Sequence, residues 1–117
     1  MDKPTFSQLR MRMFAAYSAG DYAAALSAVD NIAAAYPEQG WLYPYWRACM
    51  LARLGRSADA LTTLESGLAA GYWWSPIQLR RDEDLAPLQD LSRFQQLLMD
   101  CEQKLLAANA QSHPEYD

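Results

Sequence analysis

The sequence predicts an all-α fold: two helix hairpins in tandem, then short helices and a C-terminal capping helix. Three observations predict it. Ala and Leu abound, β-branched residues are scarce, and no period-two alternation survives beyond a few residues. Helix start and stop signals recur at helix-length intervals. One stretch, AGDYAAAL at 19–26, is echoed by LGRSADAL at 54–61, an offset of 35 residues.

The first helix is expected from Thr5, where Thr5 and Gln8 have capping-box spacing, and it ends by Gly20. Its apolar stripe is Phe6, Leu9, Met13, Ala16 and Tyr17. Asp21 caps a second helix, with Ala25, Leu26, Val29, Ile32 and Tyr36 on one face, until Pro37 stops it. A third runs from about Leu42 to Leu54, tolerating Pro44 because it falls in the first turn. Gly55 ends it, and Ser57 reads as the N-cap of a fourth that carries Leu61, Leu64 and Leu68 and stops near Gly71. Ser75-Pro76 opens one or two turns, and Asp82 or Asp84 starts a short piece around Leu85 to Leu88. Ser92 and Gln95 suggest a second capping box, opening a last helix with Phe94, Leu97, Leu98, Cys101 and Leu105 inward. The stretch 109–117, with the lone His113, reads as a flexible tail.

The chain of 117 residues suits one domain, expected over 1–108, and at 51% apolar it can fill a core. Its apolar runs are short and interrupted by charges, so no membrane span is expected. The opening Met1-Asp2-Lys3-Pro4-Thr5 lacks a secretory pattern, and the chain reads as cytoplasmic. Cys49 and Cys101 sit in helical apolar patterns without CxxC spacing and read as buried reduced thiols. A net charge of −4 disfavours nucleic acid as a partner. The charges are also segregated: Arg10, Arg12, Arg47, Arg53 and Arg56 lie in the first half, whereas Asp82, Glu83, Asp84, Asp90, Asp100 and Glu102 crowd the second.

Within the echo, Ala25 and Ala60 fall where paired helices would cross most closely, a place that admits only a small side chain. Ala25, Val29 and Pro37 have a spacing that Ala60, Leu64 and Tyr72 repeat, with Tyr in place of Pro. On these residues, with Leu9, Ala48 and Leu51 in first-helix slots, the chain resembles the tetratricopeptide repeat (TPR) family, whose helix-turn-helix units of about 34 residues stack into a superhelix. The resemblance implies repeats at 5–37 and 41–72 and a degenerate capping region at 76–108. Residues 82–98 also resemble a closing segment common after bacterial repeats of this type, some of which carry a following α/β-hydrolase domain. No Gly-x-Ser-x-Gly occurs here, so hydrolysis does not carry over.

Nothing in the sequence points to catalysis, a metal or a cofactor. The single His has no ligand-spaced companions, and there is no Gly-rich phosphate loop. Asp82, Glu83 and Asp84 lack calcium-loop spacing and read as helix capping plus solvation. Binding is the expectation. The resemblance implies a concave face lined by Arg10, Phe14 and Tyr17 from the first helix and by Tyr45, Cys49, Ala52 and Arg53 from the third. Arg grips carboxylates with paired hydrogen bonds while Tyr and Phe bury apolar side chains. The expected partner is therefore a protein or peptide segment that is acidic or bears a free C-terminus. Packing of Phe14 and Tyr17 on neighbouring helices, and a merely solvated arginine face, stand as alternatives. Trp73 and Trp74 offer a second contact, because adjacent rings on a helix diverge by about a hundred degrees and would not both be buried. A self-associating homodimer and an accessory subunit of a separate enzyme are the rival functions.

Overall fold

A computed structural model describes residues 3–112, and in it the chain is all-α. Helices α1 (Phe6–Ser18) and α2 (Tyr22–Ala35) form one hairpin, and α3 (Leu42–Arg53) and α4 (Ser57–Ala69) form the next. Short α5 (Pro76–Arg81), a 3₁₀ segment (Glu83–Leu88) and long α6 (Ser92–Ser112) follow.

Local chemistry sets the helix ends. Thr5 Oγ1 accepts the Gln8 amide at 3.1 Å, and the Gln8 side chain accepts the Thr5 amide at 2.9 Å, completing the capping box. Asp21 caps α2 through the Ala24 amide at 3.1 Å. Both hairpins turn by the same device. Gly20 (φ 79°) and Gly55 (φ 78°) adopt the left-handed conformation that glycine enters without strain. The Asp21 amide then donates to Ala16 O, and the Arg56 amide to Leu51 O, which is the Schellman arrangement at both places. The 35-residue offset read from the sequence is therefore an offset in geometry too.

Three sequence expectations need correction. Ser57 is the first residue of α4, and Arg56 precedes it without a side-chain cap. At α6 the Gln95 amide donates to Leu91 O and its side-chain amide to Gln89 O, so Gln95 is engaged by the preceding turn and not by Ser92. Residues 109–112 continue α6, against the expectation of a tail; the remainder of that stretch, His113 included, lies outside the described residues.

Two core clusters share α3. Met13, Ala25, Val29, Ile32, Tyr43 and Met50 fill the first hairpin's side. Ala48, Ala60, Leu61, Leu64, Leu79, Leu85, Leu88, Phe94 and Leu97 are among those filling the other. Ala25 and Ala60 are both fully buried, as the close approach of paired helices requires. Half-buried Trp46 packs against both clusters and touches the rings of Phe6, Phe14 and Tyr43. Among the described residues, no helix is long and apolar enough to cross a membrane.

Candidate functional site

The face expected to meet a partner is partly occupied by a later segment of the same chain. α2 packs directly on α3, α1 reaches α3 through the rings of Phe6 and Phe14 against Trp46, and the 3₁₀ segment packs onto α3 through fully buried Leu85 and Leu88. That packing delivers Asp82 and Asp84 to the side chains that the sequence assigned to an acidic partner. Tyr17 Oη donates to Asp84 Oδ1 at 2.7 Å. Arg53 Nε donates to the same oxygen at 2.5 Å. Tyr45 Oη donates to Asp82 Oδ2 at 2.5 Å, and the Cys49 thiol leans on that oxygen at 3.9 Å. Asp82 Oδ1 accepts the Asp84 amide at 3.0 Å, capping the 3₁₀ segment. Arg53 thus grips a carboxylate as expected, but the carboxylate belongs to its own chain.

The reading of Asp82, Glu83 and Asp84 as capping plus solvation is corrected accordingly. Asp82 caps and Glu83 is exposed, but Asp84 is only 9% exposed and belongs to an ion-pair and hydroxyl network. A buried carboxylate requires such partners. The one sequence signal for this placement was the segregation of arginines and acids, which carries no information on which pairs meet.

The remaining expected contacts divide. Tyr45, Cys49 and Ala52 are buried. Phe14 stays 43% exposed, with edge contacts to Tyr17 and Trp46 at centroid separations of 6.4 and 6.1 Å. Arg10 is exposed and holds its guanidinium 5.8 Å over the Phe6 ring. Arg53 lies 5.7 Å from the Tyr22 ring, so the two arginines do not converge on one ligand position. The second expected contact is also corrected. Residues 72–75 are not helical, and buried Trp74 donates its indole N–H to Trp41 O at 3.1 Å. Trp73 is half-buried against the same core, and Trp41 is the exposed tryptophan.

Titration follows these contacts. The hydrogen bond to Asp84, with burial and the Asp84 charge, pushes the Tyr17 hydroxyl from 10.0 to about 12. Burial, then the bond to Asp82, raises Tyr45 further. Burial first, then the charges of Asp82 and Asp84, drives the Cys49 thiol far above its ordinary range, so it stays protonated. Cys49 Sγ and one oxygen each of Asp82 and Asp84 lie within 4.8 Å of one another, a spacing that could hold a metal ion. A thiol held protonated, and an arginine on one of the carboxylates, both oppose a cation bound there through sulfur.

Between α1, α3 and the 3₁₀ segment lies a cavity of about 200 Å³, lined by Phe14, Tyr17, Tyr45, Trp46, Asp82 and Asp84 together with Cys49 and Met50. It is the feature of this face that the chain leaves open. Of its lining, Phe14, Tyr17, Tyr45 and Cys49 were expected from the sequence, whereas Trp46, Met50, Asp82 and Asp84 were not.

Compared with known families, residues 5–109 match the one described as A/B hydrolase-like, N-terminal domain. The chain belongs to that family. No curated protein and no solved structure matches it.

Proposed function

We propose that this member of the A/B hydrolase-like N-terminal domain family is a non-catalytic protein-docking domain, and that its docking surface is the α1–α3 face. The observation that carries the reading is the contrast on that face. Its inner polar groups are satisfied within the chain, whereas Phe14 stays exposed at an aromatic cavity and Arg10, one turn before it on α1, is exposed as well. Partly exposed aromatic and arginine side chains beside a preformed pocket are what anchors in protein interfaces are made of. The non-catalytic reading is supported by the two thiols, both raised by burial and so weak as nucleophiles.

The finer reading is TPR-like stacking. It is supported by the two equivalent Schellman turns and by the burial of Ala25 and Ala60. Two free buried thiols suit a reducing compartment such as the cytoplasm, and the hydrolase-bearing repeats that the chain resembles are bacterial.

A photo-crosslinking residue at position 14 should capture one discrete adduct in cells, while the same residue at Ser66 on the exposed side of α4 captures none. Adducts of equal yield at both positions, or at neither, would contradict the docking face. A second reading, favoured by the family match, is that the partner is an α/β-hydrolase-like domain. Identification of the adduct decides between a hydrolase-like partner and an unrelated one.

A further inference from the structure

The sequence led to the expectation of an acidic ligand; the cavity's lining points to the opposite charge. We propose that the cavity between α1, α3 and the 3₁₀ segment takes one basic side chain of the docked protein, a lysine or arginine. The proposal rests on the docking reading above and names the chemistry of what enters.

Hydrogen-bond direction is the first argument. Tyr17 and Tyr45 have each committed their single hydroxyl proton to a carboxylate, and the Cys49 proton faces Asp82. The phenolic oxygens on the cavity wall therefore have only lone pairs left to offer. A carboxylate carries about four acceptor sites. Asp82 uses three of them, on Tyr45, Cys49 and the Asp84 amide, and Asp84 uses two, on Tyr17 and Arg53. The carboxylate and hydroxyl oxygens lining the cavity are thus acceptors with capacity to spare. A ligand with many donors and no acceptor suits them, and ammonium and guanidinium groups are such ligands.

Charge is the second argument. Two carboxylates line the cavity, and the one cation paired with them among the described residues, Arg53, is not part of the lining, so an entering carboxylate would meet net negative charge. Ring geometry is the third. Phe14 and Trp46 meet at an interplanar angle of 75°, and Phe14 and Tyr17 at 88°, so these rings enclose the space from different directions. Aromatic walls of this kind attract a cation through their quadrupoles. Size is the fourth. At about 200 Å³ the cavity falls below the range of roughly 300–1,000 Å³ typical of small-molecule pockets and suits a single side chain. The sequence missed this because the acidic wall comes from residues 68 or more positions from Phe14.

The test is a titration of the whole chain, followed by amide and indole NMR shifts, with capped Ala-Gly pentapeptides that carry one central residue: lysine, arginine, norleucine or glutamate. Expected are saturable shifts at Trp46, Cys49, Asp82 and Asp84 with the lysine or arginine peptide. Binding should be on the order of tenfold tighter than for norleucine, and weaker in salt. Phe14→Ala and Asp82→Asn should each weaken it several-fold while the native spectrum persists. Because the comparison among peptides uses unaltered protein, it stands even if a variant unfolds. Equal binding of lysine and norleucine, preference for glutamate, or absence of shifts at the cavity would each overturn the proposal. If the position-14 adduct forms regardless, only the basic-ligand assignment falls; if it too is lost, the docking reading falls with it.

Discussion

Asp84 shows how a single residue redistributes the chemistry of a face. Nine-tenths buried, it holds its place through Tyr17 and Arg53, and in doing so commits the Tyr17 proton and an Arg53 donor within the chain. Tyr17 carries a measurable consequence. Its hydroxyl is raised from 10.0 to about 12, so the neutral form is favoured in the folded state. The stabilisation is fully present below the unfolded value and is lost as pH rises through the folded one, which sets the window between pH 10.0 and about 12. Denaturant unfolding across that window should show falling stability. In Tyr17→Phe the fall should be shallower, because the titrating group is gone; a fall as steep as that of the unaltered chain would show that other groups cause it. Tyr17, Tyr45, Cys49 and Arg53 were placed on one face by the tetratricopeptide resemblance. Asp82 and Asp84 were not, since capping spacing is a local signal and a contact across 31 residues, from Arg53 to Asp84, leaves none.

Helices were the most legible level. Gly20 and Gly55, Thr5 with Gln8, and the caps Asp21 and Ser75 act through bonds spanning a few residues, so their residue types announce them. Ser57 and Ser92 misled because a serine just inside a helix looks the same in sequence as one that caps it. The junction of α4 with residues 72–75 was illegible for another reason. Gly67 occupies the position where the first hairpin has Ile32, and Trp74 fills the space left by the missing side chain. A Cβ at Gly67 would come within 2.7 Å of Trp74 Cη2 and 3.0 Å of Pro44 Cβ. Gly67→Ala, though better for an isolated helix, should therefore destabilise the chain by about 1–3 kcal/mol, the usual cost of overpacking. Chemical denaturation monitored by tryptophan emission would read it, and an unchanged or raised midpoint would show that Trp74 is free to move aside.

At the scale of the molecule, a later segment of the chain packs back on α3 and brings its carboxylates to Tyr17, Tyr45 and Arg53. The acidic second half and the arginine-bearing first half are segregated in sequence and in contact in space. Arg53 meets Asp84 across that divide, whereas Arg93 of α6 with Glu65 of α4, at 2.5 Å, and Arg47 with Asp30, at 2.8 Å, pair within one half each. What stays open on the α1–α3 face is the aromatic, acceptor-lined cavity, and both functional proposals depend on Asp84 being held beside it. A double-mutant cycle on Arg53→Met and Asp84→Asn, read by denaturant unfolding, tests that arrangement most directly. Arg53 keeps about a third of its side chain exposed, so the pair should fall short of a fully buried one. A coupling of about 1 kcal/mol is expected, within the range for residues in contact. Additivity to within about 0.3 kcal/mol, as for residues that do not touch, would mean that Asp84 does not reach Arg53 and that the groove is not filled from within.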